Sequence, residues 1–522
     1  MVSFIQQHAS SVMGVLSGFD RVRIRGTLRW LCYPDGLGKH LSKVGVLLKD
    51  FKGYVHRITS ELRESTERMI QAAGRRPVQY VARATTSKEE LARKIAAEDG
   101  IREGLIGVLS AVELCRSFEV GWDASRRHLE LRSAPRKCLH YYHYWIHPEW
   151  GFMHARLQTW FPFTLHVCLN GREWLARQMD RAGLRYERRE NCFPWLSDLP
   201  RAQQLMDRQL RVNWKRMLDS LVPQVHPLFG RLFATCPTGY YWSVDESEWA
   251  SDVIFRSPAE LAALYPRLIQ HGMQHLGSRE VMRFLGHRVP AQGGVHGGFE
   301  GEVFTDLRRR PEGVRIKHRL NRNSIKMYDK QGSILRVETS IFDSRDLRVY
   351  RSPEGNPRAP KQWRVLRKAV SDVHRRAEVC QAANDRYLES MATVSRNTPL
   401  AELAAKLCRP AQWNGQRVRA LNPLGPSDAA LLEAVNRGEF TIRGFRNRDL
   451  RAILYGTQPC SQQQRRRQSA AITRQLRLLR GHGLIRKVPR THRYQLSTGG
   501  RIAITALLAA RAADTEKLTS AA

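Results

Sequence analysis

The clearest periodicity near the start of the chain has a repeat of two. In GFDRVRIRGTLRWL (18–31), Val22, Ile24, Leu28 and Trp30 alternate with Arg21, Arg23, Arg25 and Arg29, which predicts a half-buried strand with a basic edge. PVQYVA (77–82) reads as a second strand. SKEELARKIAAEDG (87–100) reads as a helix, with Ser87 and Glu90 as a capping box and Gly100 as its stop. GLIGVLSAVEL (104–114) returns as a buried strand, so this stretch predicts a βαβ crossover.

Residues 138–170 read as a hairpin turning at Glu149–Gly151, a further strand, and then a helix in NGREWLARQMDRAG. The region 195–285 is mainly helical in pattern, interrupted by YYWSVDESEWASDVIF (240–255). A Gly-rich loop, AQGGVHGGFEG (291–301), precedes strands at 314–330 and 333–342 joined by a tight Gln331–Gly332 turn. A long helix is expected over 361–395 and a Pro/Gly-punctuated linker over 409–428. The resulting partition is 1–135, an α/β part; 136–300, a hairpin and helices; 301–408, strands and the long helix; the linker; and 429–522. The fold class expected is an α/β (α+β) body with a mixed sheet, followed by a C-terminal winged helix-turn-helix.

That last module is read from helices at Asp428–Asn436, Asn447–Tyr455 and Ser469–Arg480, with a short strand at Phe440–Ile442. Strands in LIRKV and RYQLS and a helix over Gly500–Arg511 follow. The order resembles winged-helix regulators, whose third helix enters the major groove while the wing touches backbone. Ser461–Gln495 holds ten Lys or Arg and no acid. Arg465, Arg466, Arg467, Arg474, Arg477 and Arg480 fall before or on the third helix, and Lys487, Arg490 and Arg493 on the wing.

Charge extends this picture to the whole chain. Its 522 residues carry 86 Lys and Arg, 70 of them Arg, against 49 Asp and Glu, a formal +37. A polyanion must offset such an excess, and nucleic acid is the commonest one. The nine Cys are scattered without a C-x-x-C pair, which argues against a zinc ribbon or a disulfide framework and suits a reducing compartment. No apolar run reaches the ~18 residues of a membrane span. The expected location is cytoplasmic and nucleoid-associated, with no membrane partner.

Candidate chemistry lies in NSIKMYDKQGSILRVETSI (323–341), a Tyr-Asp-Lys strand followed by Leu-Arg-Val-Glu. This pair resembles the catalytic core of phage and plasmid rolling-circle replication initiators. The resemblance implies a metal, Mg²⁺ or Mn²⁺, held by Asp20 and Glu338, with Lys330 steadying the phosphate beside Tyr328. It also implies a nucleophilic tyrosine on a later helix, Tyr387. The chain has no His-x-His pair, so acids would take the place of that family's histidines. GFDR near the start and YDK…LRVE late also resemble a set of large basic bacterial proteins.

Asp245, Glu246, Glu248 and Asp252 form a second acidic cluster, which with Asp20 and Glu338 would complete a two-metal nuclease site. Aromatic residues crowd 140–163, and Tyr142, Tyr144 and Arg156 there are expected to stack and hold unpaired bases. The functional expectation is a nucleic-acid-binding protein of a mobile or extrachromosomal element, with DNA favoured, that nicks or processes its target. A non-catalytic binder of structured RNA and a transcriptional regulator are the alternatives.

Overall fold

The computed structural model describes residues 1–287, 303–310, 313–356, 358–392, 400–440, 444–456, 461–489 and 491–512. The fold is mixed α/β, built on a large mixed sheet. Two compact units are each assembled from separate segments. One comprises Val15–Asp252 and Glu338–Gln381; the other comprises Met1–Gly14, Val253–Val337 and Ala382–Ala522. This grouping cuts across the linear partition expected from composition, because the chain leaves each unit and returns to it.

The first unit holds most of β1 (Val12–Thr27), then β2 (Gln79–Tyr80), β3 (Gly104–Asp123), β4 (His128–His147), β5 (Gly151–Gln158), β6 (Leu165–Asn170) and most of β9 (Tyr241–Phe255), in the order β9-β1-β6-β5-β4-β3-β2. The crossover read from sequence is present. β2 runs parallel to β3, pairing Gln79 with Leu109, and helix Lys88–Glu98 connects them. Ser87 caps that helix by accepting from the Glu90 amide at 3.2 Å. β1 pairs with β6, β6 with β5, β5 with β4 and β4 with β3, all antiparallel, and β3 and β4 form a long hairpin from Gly104↔Ile146 to Asp123↔His128. A small hairpin of β7 (Tyr186–Arg189) and β8 (Cys192–Leu196) follows helix Gly171–Arg181. A Cβ at Gly171 would meet the Phe19 carbonyl oxygen at 2.0 Å, so glycine there lets the helix start against β1.

In the second unit β10 (Val303–Arg310), β11 (Gly313–Leu320) and β12 (Asn323–Lys330) form an antiparallel meander leading to β13 (Ile334–Ile341), whose residues from Glu338 on belong to the first unit. The single strand expected over 314–330 is therefore two. Its turn passes through Asn321 at φ 51°, a residue type that tolerates the left-handed region. The Gln331–Gly332 turn stands as read, with φ of 59° and 80°. The long helix expected from 361 begins only at Val373; before it, in the first unit, lie β15 (Gln362–Val365), paired with β14 (Arg348–Arg351), and a short 3-10 turn. Gln362–Val365 carries Trp363 and Val365, which suit a strand. The expected linker contains a hairpin, β16 (Ala411–Trp413) with β17 (Gln416–Val418), and Arg419 there pairs with buried Asp428 at 2.6 Å.

The C-terminal segment has helices Pro426–Asn436, Asn447–Tyr455 and Gln462–Gly481, then antiparallel β18 (Ile485–Lys487) and β19 (Tyr494–Leu496), then helix Thr498–Ala512. Leu432, Phe445, Ile472, Leu476, Leu479, Ile485 and Ile504 contribute to one shared core. The third helix starts seven residues earlier than its apolar spacing suggests, because Ser461 and Gln464 form a capping box. The expected strand at Phe440–Ile442 and the loop 291–301 lie largely outside the described residues.

Candidate acidic site

β13, β9 and β1 are neighbours in the sheet, and each delivers one carboxylate: Glu338, Glu248 and Asp20. One oxygen from each lies within 4.8 Å of the others. Glu338 and Asp20 are buried, whereas Glu248 keeps 14% of its side chain exposed. Two unit charges at this separation repel by on the order of 3 kcal/mol at an effective dielectric of about 20, so the group favours a cation. Oxygens on opposite sides of a Mg²⁺ ion are about 4.2 Å apart, so the observed spacing suits one such ion. Among the described residues these are the acids, histidines or cysteines that gather closely enough to hold a metal.

The supporting residues are local. Asn191, in the β7–β8 turn, donates through Nδ2 to both oxygens of Asp20, at 2.8 and 2.9 Å. Arg21, next to Asp20 in β1, reaches Glu248 at 3.2 Å and Glu246 at 3.0 Å. Burial works against the Arg21 charge, but Glu248 and Glu246 more than offset it and hold its guanidinium above its ordinary value. Trp249 stacks edge-on against Phe19 at 4.8 Å and donates to Gln381 at 2.7 Å, which fixes β9 beside β1. Fully buried Arg376 donates to Ser247 Oγ and to the carbonyls of Val244 and Ile341, tying β9 to the end of β13. Burial pulls its guanidinium down to about 10.

Both acids singled out first, Asp20 and Glu338, therefore meet, and of the second cluster Glu248 joins them. The other three are engaged elsewhere. Asp245 pairs with Arg25 at 2.7 Å, Glu246 with Arg21 and Arg23, and Asp252 with buried Arg172 at 3.1 Å. The basic edge of β1 is thus half-exposed but matched by acids of β9. Asn191 and Arg376 escaped the sequence reading. The turn at Glu190–Asn191 carried a signal, since Asn is a common turn residue.

Tyr328, Lys330 and Tyr387 belong to the second unit, not to the unit that holds the acids. Tyr387 is fully buried, with its hydroxyl 3.2 Å from His318 Nε2 and its ring against Phe284. Burial pushes its hydroxyl well above the ordinary phenol range, which disfavours the phenolate a nucleophile requires. Tyr328 is half-buried with Lys326 5.9 Å from its ring, and Lys330 is buried. Tyr142 and Tyr144 are buried beneath Ala92, Ile95 and Ala96, so their rings are engaged in packing and do not form an open platform. Arg156 pairs with Glu113 at 2.9 Å and lies 3.0 Å from His166.

Along helix Gln462–Gly481, Arg465, Arg466, Arg467, Arg474 and Arg477 are exposed, as is Lys487 on β18; among the described residues none of them forms an ion pair. Arg480 lies 4.4 Å over the Trp413 ring, Arg493 is half-buried, and Arg490 lies outside the described residues. No described helix is long and apolar enough to cross a membrane. Comparison of the chain with protein-family models, with curated proteins and with solved structures gives no match.

Proposed function

We propose that this chain is a metal-dependent nucleic-acid phosphodiesterase, with DNA the favoured substrate, in which Asp20, Glu248 and Glu338 hold Mg²⁺ or Mn²⁺. The observation that carries this reading is the meeting of three carboxylates from three adjacent strands within 4.8 Å, in a chain of formal charge +37. A divalent ion there would supply Lewis-acid polarisation of a phosphate and a more acidic water. The residues of the chain do the rest. The three acids offer oxygen ligands, Asn191 fixes the plane of Asp20, and Arg21 balances the charge of Glu248 on the exposed side. Water is the nucleophile in this proposal, since Tyr387 is enclosed and bonded to His318.

The C-terminal segment is read as a winged helix that anchors the chain on duplex. Three helices, a two-stranded hairpin and the exposed arginines of the third helix support this reading. The test is cleavage of end-labelled single-stranded DNA, duplex DNA and RNA by the full chain with Mg²⁺ or Mn²⁺. Cutting that stops with EDTA and in both Asp20→Asn and Glu338→Gln is the expected result. Cutting that survives in both variants rejects the site. No cutting, together with one discrete RNA retained through purification, replaces the enzyme with a structured-RNA binder.

A further inference from the structure

A second site in the same unit has a different chemistry. A cavity of about 560 Å³ lies between the β14–β15 hairpin and the first turns of helix Val373–Met391. Four cations line it: Arg351, Lys361, Arg367 and Arg375. Arg367 is committed to Asp372 through two 2.8 Å bonds and to Glu354 at 3.1 Å, and Arg375 reaches Asp372 at 2.6 Å. The other two form no ion pair among the described residues. Lys361 is exposed. Arg351 is only 8% exposed, and among the described residues its guanidinium meets two backbone carbonyls, Ser352 and Val365, each at 3.3 Å. Its buried Nε has no partner among the described residues. Burial and the nearby Arg367 charge work against its own charge, which an anion would relieve.

We propose that this cavity binds a terminal phosphate monoester of a nucleotide or nucleic-acid strand, held by Arg351 and Lys361. A planar guanidinium and a mobile ammonium suit a phosphate dianion, and a guanidinium with two long bonds to carbonyls gains from one. A neighbouring feature selects nucleotide over other phosphates. Tyr350 and Trp363 pair across the same hairpin, both 58% exposed, with ring centroids 5.7 Å apart. Exposed rings adjoining a phosphate site suit stacking of a base. Glu378, which lines the cavity and is exposed, offers an acceptor to a ribose hydroxyl or a base amine.

The experiment compares 5′-phosphorylated and 5′-hydroxyl single-stranded oligonucleotides of one sequence, binding to the full chain in EDTA by fluorescence anisotropy. The phosphorylated strand should bind about tenfold tighter, the scale of one charge-assisted hydrogen bond. Arg351→Lys and Lys361→Glu should each remove that preference, and Trp363→Ala should weaken both strands alike while keeping it. Lys361 is exposed, so its variant remains informative even if Arg351→Lys fails to fold. Equal affinities for the two strands, or a preference that survives both variants, would overturn the proposal. Adenosine monophosphate that displaces the strand at matching concentrations makes the ligand a free nucleotide; failure to displace makes it a strand end. EDTA and the Glu338→Gln chain leave this preference intact, so its failure is separable from failure of the acidic site.

Discussion

The side-chain amide of Asn191 spans both carboxylate oxygens of Asp20, at 2.8 and 2.9 Å, from a hairpin turn 171 residues away in sequence. A donor shared by both oxygens fixes the plane of the carboxylate and leaves its remaining lone pairs for another ligand. Removing such an orienting partner typically costs 10–100-fold in metal affinity. Asn191→Ala should therefore weaken Mn²⁺ binding by roughly tenfold, read by electron paramagnetic resonance titration of free Mn²⁺. Unchanged Mn²⁺ binding would leave the contact as a strut between the β7–β8 turn and β1.

The three acids repel one another until a cation arrives, and this gives them a thermal signature. Glu338→Gln, Glu248→Gln and Asp20→Asn should each leave the melting temperature in EDTA unchanged or raised, because one repelling charge is gone. The wild-type chain should gain stability with Mg²⁺ or Mn²⁺, by about 2.7 kcal/mol at a hundred times Kd, and the variants should lose that gain. Differential scanning fluorimetry with and without metal reads both effects. A metal-induced shift of equal size in all three variants would place the ion elsewhere.

How far the sequence went is seen in these same acids. Asp20 and Glu338 were legible because each sits in a short motif on a strand with clear alternation. Glu248 was not separable from Asp245, Glu246 and Asp252, since the choice depends on which β9 residues face Arg21, Arg23 and Arg25 across strand pairing, and no local pattern encodes that. The crossover at 77–114 and the third C-terminal helix were readable from periodicity and caps. Tyr142 and Tyr144 were misjudged because an aromatic-rich strand looks alike whether its face meets solvent or a helix; here helix Lys88–Glu98 covers it. The Arg351 cavity had no sequence signature, since it arises from β14, β15 and a helix start brought together by the fold.

Tyr387 offers a clean contrast between nucleophile and core residue. Its hydroxyl bonds to His318 in a buried setting, and a neutral hydrogen bond of this kind contributes about 1 kcal/mol. Tyr387→Phe should lower stability by about that amount in urea titration and leave metal-dependent cutting unchanged. Loss of cutting in a stably folded Tyr387→Phe chain would restore the tyrosine mechanism.

Seven histidines, four of them buried and three partly buried, make the fold sensitive to acid. Burial pulls His140, His154, His166, His271 and His318 down to about 4, and His143 and His226 to about 3. A ring that is neutral when folded but titrates near 6.5 when unfolded takes up a proton on unfolding between those values. Its contribution is therefore complete above about pH 6.5 and is lost as pH falls toward 4, at about 1.4 kcal/mol per pH unit for each ring. Chemical denaturation at pH 7.5, 6 and 5 should show a steep fall. His226, set against Phe163 and Phe229 with neither ring nitrogen hydrogen-bonded among the described residues, gives the single-residue check. His226→Leu should do better relative to wild type at pH 5 than at pH 8, and an equal difference at both would show that the ring does not titrate on unfolding.

The first two turns of helix Gln462–Gly481 extend beyond the C-terminal core, and Arg465, Arg466 and Arg467 are exposed there in succession. Neutralising them touches no packing, so the triple Ala variant should melt within about 1 kcal/mol of wild type. If the helix grips duplex DNA, each arginine on a phosphate displaces about 0.9 of a counterion, and the slope of log K against log salt should flatten by about 2.7 for all three. Affinity should fall for every duplex sequence alike, because phosphate contacts carry no base information. Arg474→Ala, on the same helix nearer the core, distinguishes readout from grip: a loss confined to certain sequences means base contact, and a uniform loss means backbone contact. A salt slope that does not change in the triple variant would move the nucleic-acid surface off this helix and leave its arginines as a docking face for another acidic partner.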